Sequence, residues 1–194
     1  MVVTGNLHNI FVVPLVRESW RQVASVVPAN SFVFDAGCGT GGLAQLLRQE
    51  KNCRVIGADI SRPMLDFAIR ANQYDEVQFL HMDISNVSNC PDKKYDYSVM
   101  CHVVHELPPD KQAKAILELM RIGKRTIILD SNSPLPRNIT GIAARMLDAT
   151  DDFQSYVASG GIIGILERSG LISNVVHRTV FRQKCFQVVT LSRE

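Results

Sequence analysis

Val33-Phe34-Asp35-Ala36-Gly37-Cys38-Gly39-Thr40-Gly41-Gly42 reads as a strand that runs into a glycine turn and then into a helix. The strand is Phe32 to Ala36 and the helix Leu43 to Gln49. Outward from this unit, short β-branched and aromatic runs alternate with helical patterns, which is the signature of βαβ units around a parallel sheet. Arg54 to Ala58, Val77 to Leu80, Asp96 to Cys101 and Arg125 to Leu129 read as further strands. Pro14 to Val26 reads as an opening helix with Leu15, Val16, Trp20, Val23 and Ala24 on or near one face. Ser61 is expected to cap a third helix and Asp110 a fourth, whose apolar stripe is Ala113, Ile116, Leu117 and Met120. Between about 131 and 159 the alternation lapses: a helix is expected around Ile139 to Leu147 and another from Asp151, together a lid-like insertion. A helix from Gly161 to Arg168 precedes strands near Ile172 to Val180 and Cys185 to Leu191, close enough to form a hairpin and an antiparallel finish.

With 194 residues and 21.6 kDa, the chain 1–194 is expected to be a single α/β domain. An apolar fraction of 46% fills a core of that size without staples. Twenty-one Lys and Arg against nineteen Asp and Glu are too balanced to draw in a polyanion from a distance, so a nucleic-acid partner is not expected. The one basic cluster worth testing for RNA runs from His177-Arg178 to Arg182-Gln183-Lys184. It reads as a wet hairpin, with Phe181 and Phe186 the only rings nearby. Cys38, Cys53, Cys90, Cys101 and Cys185 are odd in number and contain no Cys-x-x-Cys pair, which suggests neither a disulfide framework nor a zinc site. No leader and no membrane-length apolar run is visible, and a cytoplasmic protein is expected.

The glycine turn suits a nucleotide-type ligand: glycines let the ligand approach the backbone, and the following helix offers unpaired N–H groups and partial positive charge. Gly37, Gly39 and Gly42 satisfy G-x-G-x-x-G, and Asp59 lies 22 residues beyond Gly37, where a ribose-binding acid belongs. An NAD(P)-dependent oxidoreductase is therefore one reading. Asp35 argues against it. A carboxylate at the strand's end repels a pyrophosphate, and a like-charge contact at about 4 Å costs on the order of 1 to 4 kcal/mol. A cationic ligand gains instead. S-adenosylmethionine (SAM) carries an ammonium and a sulfonium, offers its ribose to Asp59 and presents an adenine amino group to Asp83 at the end of the third strand.

On these residues the sequence resembles the class I SAM-dependent methyltransferases. Asp35-x-Gly37-x-Gly39-x-Gly41 is similar to that family's first motif, and Asp59-Ile60-Ser61-Arg62-Pro63-Met64-Leu65 to its second. Asp83-Ile84 resembles the adenine-binding pair, and Tyr95 to Leu107 the fourth strand with its following turn. The resemblance implies a seven-stranded, mostly parallel sheet of order 3-2-1-4-5-7-6, strand 7 antiparallel, with helices on both faces. It assigns Asp35, Gly37, Cys38, Gly39, Gly41, Asp59, Ile60, Met64, Asp83, Ile84, Cys101 and His102 to the cofactor. Ser-x-x-Met-Leu and His-Glu-Leu resemble the small-molecule branch, implying transfer to the O, N or C of a small-molecule acceptor. A non-catalytic SAM-binding partner protein is the other alternative.

Methyl transfer from a sulfonium is an in-line displacement that chiefly needs alignment, and a base helps where the acceptor must lose a proton. His105, with His102 and Glu106, follows strand four, where the resemblance implies the acceptor side, and these three are the candidate bases. No metal is expected, since His-x-x-His-Glu lacks a third ligand at recognisable spacing. Arg137 and Arg145 lie in or beside the insertion and are candidates to receive an anionic acceptor. Asp130, ending strand five, reads equally as a turn cap or a substrate-space residue.

Overall fold

The structure, a computed structural model, describes residues 13–85, 87, 89–138, 141–142 and 150–193, with side chains from residue 16 onward. Five parallel strands form its centre: β1 (Phe32–Ala36), β2 (Arg54–Asp59), β3 (Val77–His81), β4 (Tyr95–Cys101) and β5 (Gly123–Ser131). The hairpin β6 (Val175–Phe181) and β7 (Phe186–Ser192) joins through β7, which runs antiparallel to β5. The seven-stranded order is β3-β2-β1-β4-β5-β7-β6, as the sequence resemblance implied.

The helices are α1 (Val13–Val26), α2 (Gly42–Lys51), α3 (Arg62–Ala71), α4 (Pro109–Ile122), α5 (Asp151–Ala158) and α6 (Gly161–Arg168). Alternation along each central strand feeds two cores. Val33, Val55, Val99, Ile127 and Val188 pack with Val23, Ala24 and Val27 from the end of α1 and with Leu43, Ala44 and Leu47 of α2. Phe34, Met100, Ile128 and Val189 face the other way, onto Ile116 and Leu119 of α4, Phe153 and Tyr156 of α5 and Ile162 and Ile165 of α6. Burial on both faces explains why these strands carry apolar runs rather than a half-polar alternation. Among the described residues no helix is long and apolar enough to cross a membrane.

Several local expectations need correction. Ser61 holds the N-cap position of α3, but its side chain makes no capping bond; its backbone N–H is instead taken by Asp59. Asp110 does not cap α4, which starts one residue earlier at Pro109, so Asp110 sits in the first turn, where its charge favours the helix dipole. Ile172–Asn174 is a 3₁₀ turn, and strand pairing begins only at Val175. Within the expected insertion, α5 buries Phe153 and Tyr156 in the core, and Tyr156 Oη donates to Ser131 O at 3.0 Å. The helix expected around Ile139 to Leu147, with Arg145, falls mostly outside the described residues.

Candidate functional site

The strand order reverses between β1 and β4, so the loops leaving these two strands diverge and open a crevice at the carboxyl ends of the parallel strands. Two connected lobes occupy it, of about 390 Å³ and about 330 Å³, which share Gly37, Gly39, Met64, Cys101 and His102 on their walls. The larger lobe adds Asp59, Ile60, Asp83, Ile84, Glu106 and Lys111. The smaller adds Asp35, Cys38, Thr40, Leu43 and, from α1, Val16 and Trp20.

Backbone geometry explains the glycines. Gly37 has φ +72°, and a Cβ there would collide with Val103 Cγ2. Gly41 caps α2 at φ +78°, where a Cβ would lie 2.5 Å from the Phe79 ring. Gly41 is the one expected cofactor residue that shapes the turn without forming cavity wall.

The three strand-end acids behave differently. Asp35 is 1% exposed, and its Oδ2 has no hydrogen-bond partner. Burial, reinforced by the negative charge of Asp59, pushes its pKa from 3.8 up to about 7. Asp59 is committed to the backbone: Gly39 N donates to its Oδ2 and Ser61 N to its Oδ1, each at 2.8 Å. Each of those oxygens retains a further lone pair for a ligand hydroxyl. Asp83 is exposed on the wall of the larger lobe and accepts from Ser85 N at 2.9 Å and Ser85 Oγ at 2.8 Å. Those two bonds hold its pKa below the ordinary value.

The residues after β4 divide. His102 and Glu106 reach the cavity walls. His102 adopts φ +57°, its buried Nε2 lacks a partner, and its ring meets Phe186 edge-on at 5.3 Å. Burial lowers its pKa against the opposing pull of Asp130, so the neutral imidazole prevails. His105 is not brought to either lobe. Its Nδ1–H donates to Asp130 Oδ1 at 2.7 Å, and its ring is enclosed by Phe153 (5.5 Å) and Tyr156 (6.1 Å) of α5. Asp130 is wholly buried and also accepts from Ser131 N at 2.6 Å, so it caps its own turn while anchoring His105. The thiols of Cys38 and Cys101 are pushed upward by burial first and then by Asp35, which keeps them protonated and unreactive.

Residues 33–126 match a protein family described as a methyltransferase domain. A chain in the complex between the Haloferax volcanii Trm112 methyltransferase activator and a methyltransferase superposes with a TM-score of 0.67 at 15% identity, covering 90% of this chain and 88% of that one. A TehB-like SAM-dependent methyltransferase from Corynebacterium glutamicum gives 0.60 at 19% identity, covering 91% and 87%. The fold is that of the class I SAM-dependent methyltransferases. A tRNA (carboxymethyluridine(34)-5-O)-methyltransferase of Arabidopsis thaliana is 32% identical over 111 residues, 54% of this chain and 25% of that protein. The chain thus spans about a quarter of the length of that curated relative.

Within this methyltransferase fold, sequence reasoning missed several cavity residues. Trp20 reads as a core-facing helix position, yet it covers the glycine turn so closely that a Cβ on Gly42 would collide with its ring. Met82, Val103, Leu107, Pro108 and Lys111 complete the larger lobe; Val103 and Leu107 lie in the turn expected after strand four without being assigned to the site, and Pro108 and Lys111 carry no motif. The His105–Asp130 pair had a usable signal: His105 lies in the turn after β4 and Asp130 near the end of β5, its neighbour in the expected sheet order.

Proposed function

We propose that this chain is a methyltransferase that binds SAM in the two-lobed cleft and transfers the methyl group to a nucleophilic O, N or C presented beside α1. The observation that carries this reading is Asp35: a carboxylate oxygen shut away from water without a partner, on a cavity wall. Leaving such a group unsatisfied costs on the order of 1 to 3 kcal/mol, more when it is charged, and an ammonium donor would recover that cost. A pyrophosphate would enlarge it, which is why the NAD(P) reading is set aside.

Asp35 would hold the amino group, Asp59 the ribose diol and Asp83 the adenine amino group, with Ile60, Met64 and Ile84 as apolar walls. When bound, SAM supplies an electrophilic methyl on a positively charged sulfur. The remaining work falls to the chain: Trp20 and Val16 exclude water from the smaller lobe, while the neutral His102 ring fixes the wall beside Cys101. His102 Nε2, which has no partner, would accept a proton or a hydrogen bond from an acceptor, with Glu106 on the same lobe's wall. Two acceptor classes fit. A small molecule is the expectation from the sequence; a nucleic acid is favoured by the resemblance to the Arabidopsis tRNA methyltransferase.

The chain's one tryptophan reports the test directly, because Trp20 lines the cavity. SAM and S-adenosylhomocysteine (SAH) should each change its emission with saturation, and NADH should not. Saturable binding of NADH with no response to SAM or SAH would overturn the reading.

A further inference from the structure

The antiparallel β7 returns the hairpin to the cleft. Because β7 runs against β5, the tip between Phe181 and Phe186 lies at the same end of the sheet as the carboxyl ends of β1 to β5. Phe186 touches the His102 ring at the cavity wall, and Phe181 packs on Phe186 with centroids 5.8 Å apart. Arg182, Gln183 and Lys184 form the tip, all with positive φ, and all three are exposed.

Side-chain bonds gather two other segments to this tip. Arg182 pairs with Glu18 of α1, whose neighbours Arg17 and Arg21 are exposed. Asn132 donates to Lys184 O at 3.0 Å, and Asn138, next to the exposed Arg137, donates to Gln183 Oε1 at 3.3 Å. Arg178 is exposed and bonds only neutral partners, Gln187 Oε1 at 3.0 Å and Asn132 Oδ1 at 3.2 Å. Across 16–21, 132–138 and 175–185, six Lys and Arg face Glu18 as the single acid, although the whole chain is nearly balanced.

We infer that this rim, Arg17, Arg21, Arg137, Arg178 and Lys184, is a docking surface for the phosphate backbone of a single-stranded nucleic acid whose acceptor base enters the cleft. The inference rests on the methyltransferase reading and names its acceptor class. Exposure decides the ligand type. A small anion is held by convergent, buried cations, whereas these charges are solvated and spread over three segments. They suit a polyanion that gains by releasing counter-ions along its length. A single strand fits because its unstacked base is free to enter the cleft beside His102, which lines both lobes next to the hairpin.

The test uses a fluorescein-labelled 12-nucleotide single-stranded RNA of mixed sequence, the DNA of the same sequence, and anisotropy read from 50 to 300 mM salt. Micromolar binding is expected for at least the RNA. The slope of log K against log salt is expected between about −2 and −3.5, the upper limit set by five cations on a single strand. The double variant Arg137→Glu with Lys184→Glu should weaken binding at least tenfold. The control Lys51→Glu with Arg70→Glu, with the same change in net charge, should weaken it less than threefold. SAH titration by Trp20 emission in the same samples should be unchanged in both variants. Absence of oligonucleotide binding while SAH still binds overturns this inference alone. So does equal weakening by the control, or displacement by inorganic phosphate at matched phosphate concentration. Absence of SAH binding overturns the methyltransferase reading instead.

Discussion

Replacing Asp35 by Asn separates the cost of its charge from its use. In the ligand-free protein the buried carboxyl titrates near pH 7 instead of 3.8. Because the folded state holds the proton more tightly than the unfolded chain, the contribution of Asp35 to stability is fully present below about pH 4 and is lost as pH rises toward 7. The interval corresponds to roughly 4 kcal/mol by the 1.36 kcal/mol equivalence per pH unit. Asn removes that cost but leaves an amide without a partner, worth about 1 to 3 kcal/mol against it. The variant should therefore be more stable than the parent at pH 8, by about 1 to 3 kcal/mol, and no more stable at pH 4.5. At 2 to 4 °C per kcal/mol for a chain of this size, Tm should rise by at least about 2 °C at pH 8. SAM affinity should move oppositely. Loss of a charge-assisted bond of roughly 1.5 to 3 kcal/mol weakens Kd by about 10- to 100-fold. Scanning calorimetry at the two pH values, with Trp20 titrations, checks both halves. A variant less stable at pH 8 as well as at pH 4.5, or one that binds SAM like the parent, would refute the reasoning.

Binding of SAM to the parent at pH 7 should release part of a proton from Asp35, since a cation favours its ionised form. Calorimetric titrations in two buffers of different ionisation enthalpy should differ by that fraction. Gly37→Ala should destabilise by about 1 to 3 kcal/mol and abolish the SAH response; Val103→Ala in the same chain should restore part of the stability, because Val103 is the side chain that a Cβ would strike. His105→Ala should cost about 1.5 to 3 kcal/mol in denaturant unfolding by removing the imidazole hydrogen bond to the buried Asp130, which keeps its backbone donors at residues 105 and 131, and should leave SAH affinity within threefold. Iodoacetamide should label Cys101 far more slowly than free cysteine at pH 8, since burial and Asp35 keep the Cys101 thiol protonated.

The parts legible in the sequence are those where local chemistry and tertiary position coincide. Phe32 to Ala36 and Gly161 to Arg168 have the bounds read from their apolar runs and flanking turn residues, because nothing distant competes for them. Asp35, Asp59 and Asp83 were findable because strand ends converge at the crevice whatever the loops do. What the three acids do there was not legible. The division between an unpartnered Asp35, a backbone-bound Asp59 and a Ser85-held Asp83 depends on where neighbouring N–H groups point. The second role of Trp20 was hidden for a similar reason: helical spacing places it on the apolar face, where it packs against the core, but only the packing of α1 shows that this face ends over the glycine turn. His105 was the clearest gap between pattern and place. Its position after β4 marks it as a base candidate, whereas Asp130 and two rings of α5 hold it away from both lobes.

Asp59 grips Gly39 and Ser61 together, so the floor of the cleft behaves as one bracket joining two loops. Such a bracket resists local widening, so a donor bearing a longer alkyl chain on sulfur would gain no room from these two loops. Slack has to come from above, where Trp20 and Val16 rest on the smaller lobe. Trimming Trp20, rather than reshaping the loop glycines, is thus the route by which this scaffold would be retuned to pass on ethyl or propargyl groups.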